Sequence, residues 1–271
     1  MNKLNFFFHE SFPLQVIYLS EILQLASKNY CGSKYEISNL TGIPTGDTSG
    51  KVEPHIRYLE FMGLITSELL YDKYQLTLTK LGKVVYESDR YIMHDVTKKL
   101  MHYNLTRRYN GAPQWSFLFR NYPYDFNIPI SFNKIINNGK LIYGKEIYLN
   151  PIRTIYSTGD FSSISPIVFE DKYVIFKGCY ASSDCNNLYA YTLLEELENM
   201  ELYETEFTID KIFEDIKWQK GFGFEYDTAL EVLDDLSYMG IIKLNKQLNP
   251  ITLIVNKRSE DLMIKLYDDL I

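Results

Sequence analysis

The stretch YLEFMGLI, Tyr58 to Ile65, returns as DLSYMGII, Asp235 to Ile242, and this echo governs how the 271-residue chain is read. In each copy apolar residues at helical spacing (Ile56, Leu59, Phe61 and Met62; Leu230, Leu233, Leu236 and Met239) run into a glycine and then an aliphatic pair. Gly63 and Gly240 therefore read as the left-handed residue just past a helix end, where a β-carbon is costly. The flanks match as well. KYEISNLTGIP predicts a short helix ending at Gly42 before the first copy, and FTIDKIFEDIKW predicts another, capped by Thr208, before the second. ITSELL and YQLTLT follow the first copy around Tyr71-Asp72-Lys73; IIKLNK and ITLIV follow the second around Asn249-Pro250. A helix, a glycine and a strand in succession are common in α/β proteins, but two copies each followed by a hairpin are not. Short helix, turn, longer helix, glycine and hairpin is the order of a winged helix-turn-helix. The expected fold is α+β, two such modules flanking a mixed α/β middle region.

Charge divides the chain further. Residues 1–124 hold 14 Lys and Arg against 11 Asp and Glu, residues 125–199 hold 6 against 9, and residues 200–271 hold 8 against 15, within a total of −7. These spans are the expected domains: an N-terminal one with a basic helix, a mixed middle, and an acidic C-terminal module. The balance argues against a general nucleic-acid binder and directs any polyanion to the N-terminal part. Composition, with 46% apolar and 23% charged residues, is that of a globular protein. No apolar window is long enough for a membrane span, and MNKLNFFFHESFPL interrupts any leader at His9 and Glu10, so the expected location is cytoplasmic. Cys31, Cys179 and Cys185 lack the spacing of a disulfide framework or a zinc site and read as buried thiols.

The two long helices differ in charge. SGKVEPHIRYLEFM offers Lys51, His55, Arg57 and Tyr58 to phosphates and base edges, with Glu53 and Glu60 as counterweights. GFEYDTALEVLDDLSYM carries Glu231, Asp234 and Asp235 among its carboxylates and not one Lys or Arg, so it suits a protein partner rather than a major groove. Residues 90–109 predict a helix with Ile92, Val96, Leu100, Tyr103 and Leu105 inward. Lys98, Lys99, His102, Arg107 and Arg108 form its basic patch, either a nucleic-acid footprint or a solvated face. His94 and His102 flank Lys98, and a cation between them opposes a metal; no metal or cofactor is expected. Trp115, Phe117, Phe119, Tyr122 and Tyr124 read as core, in a strand or packed corner. LIYGKEIYL (141–149) and PIVFEDKYVIF (166–176) read as strands, STGDFSSIS (157–165) as a flexible loop, and Asn187 to Glu198 as a helix. The C-terminal SEDLMIKLYDDLI, with Ser259 as cap, places Leu262, Leu266, Tyr267 and Leu270 on one side, to close its module or to pair in a homodimer.

No Walker loop, GxSxG, HExxH or CxxC pair is present. His9 and Glu10, before the helix-capping Ser11, are the candidate catalytic pair; alternatively they tie the terminus to a neighbouring loop while Phe12 and Leu14 anchor the first helix.

HESFPL at 9–14, GKVEPHIRYLEFMGLI at 50–65, LTLTKLGKVVYES at 76–88, HYNL at 102–105, QWSFLFRNYP at 114–123 and YAYTLLEELEN at 189–199 follow one another in the order of a known family. The chain resembles, over nearly its whole length, an uncharacterised bacterial domain-of-unknown-function family that begins with a His-Glu-(Thr/Ser)-Phe-Pro-Leu signature. The resemblance implies genes lying beside those of DNA phosphorothioation and other phage-defence or restriction-modification systems. The chain departs from the family in having Gln15 in place of Arg, and Gly50-Lys51-Val52-Glu53 in place of Gly-Lys-Asn-Met, after a loop lengthened by IPTGDTSG. The functional expectation is a non-enzymatic DNA-associated or adaptor component of such a system, its partners being double-stranded DNA and protein subunits. The rivals are a nuclease or nucleotide-processing subunit with a site near His9 and Glu10, and a pure protein scaffold.

Overall fold

The computed structural model describes residues 6–200, 205–247 and 249–270. Residues 1–5, where the reading of a leader begins, and 201–204, the start of the expected third domain, lie outside them. Contacts divide the chain into two compact units, 1–176 and 177–271, whereas charge divides it at 124 and 199.

Unit 1 begins with α1 (Val16–Ser27), β1 (Cys31–Ser33), α2 (Lys34–Thr41), α3 (Val52–Phe61), β2 (Ile65–Leu70), β3 (Lys73–Leu78) and α4 (Lys80–Asp89). Ser33 opens α2 with a capping box shared with Glu36, and Gly42 ends it at φ 72°. Gly63, at φ 70°, ends α3 as its spacing predicts. The strands form an antiparallel sheet in the order β1-β3-β2, with Leu70 opposite Lys73 across the Tyr71-Asp72 turn. Leu19, Ile22, Leu23, Ile37, Ile56, Leu59, Leu64 and Leu76 fill the space between helices and sheet.

The helix expected over 90–109 is shorter. Asp89 ends α4, Ile92 turns the chain at φ 56°, and α5 runs Asp95–Thr106. The reason is Asp89, whose buried carboxylate accepts from the Met93 and His94 N–H groups, each at 2.9 Å, and from the Thr97 hydroxyl at 2.6 Å, so it caps the start of α5. The aromatic run is core, but in a helix: α6 (Pro113–Trp115) continues as a π-helical turn, Ser116–Asn121, that buries Trp115, Phe117 and Phe119.

The remainder of unit 1 holds β4 (Ile130–Ser131), α7 (Phe132–Tyr143), α8 (Asn150–Ser157), β5 (Ile167–Glu170) and β6 (Tyr173–Phe176), a second sheet in the order β4-β6-β5. LIYGKEIYL is corrected from strand to the end of α7 and a loop. Gly139 and Tyr143 turn toward Phe117 and Ile147, and Ile135, one turn earlier, is buried, a helical spacing that reaches back before residue 141; Gly144 stops the helix at φ 66°. STGDFSSIS is corrected from a flexible loop to an anchored one: Phe161 is fully buried, Asp160 accepts from the Val16 N–H at 2.7 Å, and Ser163 donates to Asp95 at 3.0 Å.

Unit 2 comprises α9 (Asn186–Asn199), β7 (Glu206–Thr208), a π-helical turn (Lys211–Ile216), a 3-10 turn (Trp218–Gly221), α10 (Tyr226–Tyr238), β8 (Ile242–Asn245), β9 (Thr252–Val255) and α11 (Ser259–Met263). Its sheet runs β7-β9-β8, the order of the first. The echo thus extends beyond the quoted phrase: in both units a helix, a short strand, a helical turn, a longer helix, a glycine, a hairpin and a further helix succeed one another. Thr208 accepts from the Lys211 N–H at 3.2 Å, the expected cap, and Gly240 has φ 69°. Of the two readings of the C-terminal segment, Leu262 and Leu266, buried within this unit, follow the one that closes the module, while Leu270 stays exposed; the Ser259 N–H and hydroxyl bind the Glu198 carboxylate. Cys185 is buried, Cys179 half-buried, and Cys31 exposed against expectation because it lies at the sheet edge.

Candidate functional site

The signature at the start of the chain meets the inward face of α3. Glu10 and Ser11 both have positive φ, 45° and 66°, and the tight turn they make brings the Phe12 N–H to the His9 carbonyl at 2.7 Å. His9 is fully buried. Its Nδ1 accepts from the Ser11 N–H at 3.0 Å, the ring is hydrogen-bonded to the Tyr148 backbone, and Nε2 lies 3.1 Å from the Gln114 amide. Burial lowers its pKa to about 4 despite that backbone bond, so it is a neutral ring between two neighbouring segments.

α3 holds the next residues of the signature. His55 Nε2 accepts from the Gln15 N–H at 3.0 Å, which places the ring proton on Nδ1, donated to the Lys51 carbonyl at 2.6 Å. The Tyr58 hydroxyl donates to the Phe12 carbonyl at 3.0 Å. Burial lowers the His55 pKa to about 4 and raises that of Tyr58. His102 is buried too: the Trp115 indole donates to the Tyr156 hydroxyl at 3.0 Å, and that hydroxyl is hydrogen-bonded to His102 Nδ1. His55, Tyr58 and His102 are therefore corrected from nucleic-acid contacts to internal ties. Their apolar neighbours in the helices put them on the core side of the period, and polar type alone concealed this.

The cations stay nearer the surface, several of them engaged. The Lys51 ammonium stands 5.9 Å over the Phe12 ring and 5.4 Å over the Tyr18 ring. Arg57 pairs with Glu60 at 2.6 Å, Lys34 with Glu53 at 3.5 Å and Lys98 with Asp95 at 3.8 Å. Arg107 lies 5.8 Å over the Tyr103 ring, Lys99 is half-buried and Arg108 is exposed. α5 is tied to the end of α3 by the Asn104 amide, which donates to the Met62 carbonyl at 2.7 Å.

In unit 2 the outward face of α10 presents Asp227, Glu231, Asp234 and Asp235, all exposed, while Ala229, Val232, Leu233 and Leu236 face inward. Lys246 pairs with Asp234 at 2.5 Å. A groove of about 460 Å³ in unit 1 is lined by Thr77, Thr79, Lys80, Lys83 and Tyr86, but its polar groups are employed locally: Thr79 caps α4 through the Gly82 N–H at 2.8 Å, and Lys83 lies 3.9 Å from Glu87. Among the described residues no three His, Cys, Asp or Glu side chains converge as metal ligands, and no helix is long and apolar enough to cross a membrane. Sequence reasoning missed Asp89 and Asp160 as caps, because nothing local marks their partners. It also missed the basic face of α7, whose signal was legible: no Asp or Glu occurs between Phe126 and Lys145.

No protein-family model matches the chain, and no curated protein matches it. Two solved structures share its fold. "SspB crystal structure" is 12% identical with a TM-score of 0.77, and "Magnesium ion-bound SspB crystal structure" is 13% identical with a TM-score of 0.75; each alignment covers 97% of this chain and 88% of the other. Identities this low establish the α+β fold alone.

Proposed function

We propose that the chain is a DNA-associated adaptor of a bacterial phage-defence or restriction system. In this reading both units are built on winged helix-turn-helix modules, the N-terminal one contacts duplex DNA, and the acidic C-terminal one contacts a protein partner. The observation that carries it is the repeated module: two sheets of the same strand order, each fed by a longer helix ending at a left-handed glycine, the first with Lys51 at its start and Arg57 set against Glu53 and Glu60, the second with carboxylates and no cation outward. A shared architecture with different charge suits different partners. The His-Glu-Ser-Phe-Pro-Leu signature supports the defence setting through the family it resembles. The DNA surface is reduced to Lys51, Arg57, Lys98, Lys99, Arg107 and Arg108, since the buried aromatic and imidazole groups cannot reach a groove. The neutral, doubly tied His9 favours the structural role of the signature over the catalytic one.

The test is a duplex shift. The full chain should retard a duplex, with and without phosphorothioate linkages, and Lys99→Ala/Arg107→Ala/Arg108→Ala should weaken the shift most at low salt. Every phosphate that the variant no longer neutralises should lower the log–log salt slope by about one. An unchanged shift in the triple variant removes this surface as the reader.

A further inference from the structure

α7 is a helix whose solvent face has no partner within the described residues. From Phe126 to Lys145 the chain carries three lysines and no carboxylate, within a molecule of net charge −7. Lys134, Asn137, Lys140 and Leu141 lie along one exposed stripe, and Lys145 follows just past the helix end. Among the described residues Lys134, Lys140 and Lys145 have no ion-pair partner, unlike Lys34, Arg57, Lys73, Lys83, Lys98 and Lys246, each of which lies beside a carboxylate. Beside the lysines, Leu141 is 84% exposed. A bare phosphate backbone would satisfy the cations and leave the Leu141 side chain in water. An acidic surface with an apolar residue of its own covers both.

This molecule has such a surface. Asp227, Glu231, Asp235 and Tyr238 fall on one stripe of α10, and Tyr238 is 95% exposed. Lys246 already occupies Asp234, which leaves Glu231 and Asp235 for a partner. The two stripes also share a register. Both helices stop at a left-handed glycine, Gly144 and Gly240. Leu141 precedes its glycine by three residues against two for Tyr238, Lys140 by four against five for Asp235, and Lys134 by ten against nine for Glu231. With a rise of 1.5 Å per residue, two such helices laid parallel with their glycines level bring each lysine within about 2 Å of its carboxylate along the axis.

We propose that α7 of one copy docks against α10 of a second copy of this chain. The inference rests on the reading of α10 as a docking face and names its partner. Because the contact joins unlike surfaces, copies either close in a two-fold pair holding it twice or continue head to tail.

Sedimentation of the full chain across salt tests this. Association should appear at protein concentrations on the order of 0.1 mM or below and weaken as added salt shortens the screening length. Lys140→Glu alone and Asp235→Lys alone should each weaken it about tenfold or more, and the two together should restore it, because every copy then offers a reversed but complementary pair. Thermal melting of each variant checks that these exposed changes leave the fold intact. A monomer throughout, or association indifferent to both single changes, overturns the proposal. So does a monomeric wild type whose duplex shift is lost in Lys140→Glu, which would make α7 a nucleic-acid face. If the wild type is monomeric yet Asp235→Lys loses a different protein partner, this inference falls and the docking reading of α10 survives.

Discussion

His9 and His55 are imidazoles enclosed where a charge has no compensating anion, and both have pKa values of about 4. Folding therefore holds them neutral, while in the unfolded chain they protonate near 6.5. Their folded pKa is the lower one, so stability is complete above about pH 6.5 and falls as the pH drops toward 4, by up to about 1.4 kcal/mol per pH unit for each ring. Urea unfolding between pH 7 and pH 4.5 should show this slope, and His55→Gln should remove close to half of it; an unchanged slope would place the acid sensitivity elsewhere. At this scale the sequence was a partial guide. It marked His55, Tyr58 and His102 as notable, but a histidine among apolar neighbours at helical spacing serves a core tie as readily as a surface contact, and only the partner atoms (the Gln15 N–H, the Phe12 carbonyl, the Tyr156 hydroxyl) decide between them.

Among the elements, the helices and hairpins of the echoed modules were legible because caps, left-handed glycines and alternating strands are local signals. Gly42, Gly63, Thr208 and Gly240 act where their types suggest, whereas Ser11 and Ser259 do not cap: α1 and α11 open at Gln15 and Arg258 instead. The strand assigned to LIYGKEIYL failed because a window starting at residue 141 sees alternation, whereas the period that decides α7 starts at Phe132. The start of α5 was misplaced because its cap is reached from the end of another helix. Asp89 accepts three hydrogen bonds there, two from orphan N–H groups. Asp89→Ala should lower stability by roughly 2–4 kcal/mol, through loss of those bonds and exposure of buried donors to no acceptor. Hydrogen exchange localised to Met93 through Thr97 is the measurement, and protection equal to wild type there would show that other groups hold the turn.

For the molecule as a whole, charge and contacts draw different maps. The N-terminal 124 residues are net positive but not self-sufficient: the Val16 N–H is capped by Asp160, the His9 ring is tied to the Tyr148 backbone, and Trp115 and His102 meet at Tyr156. A fragment of residues 1–176 should melt cooperatively, and a fragment of 1–124 should not, as read by calorimetry with near-ultraviolet circular dichroism; a cooperative transition in the shorter piece would show that these ties are dispensable. The functional surface was the least legible level. Net charge by segment pointed to the N-terminal half, but whether each cation is spoken for by a neighbouring carboxylate or ring depends on placement across turns and strands that no linear count contains.

The bond from Asp160 to the Val16 N–H joins residues 144 positions apart. A ribosome adding about 5–20 residues each second therefore releases the whole basic module some seconds before the carboxylate that completes its first helix has been made. During that interval the signature segment and the rings destined to cover it stay open to chaperones, and the order of synthesis sets the time at which this protein first becomes able to engage anything.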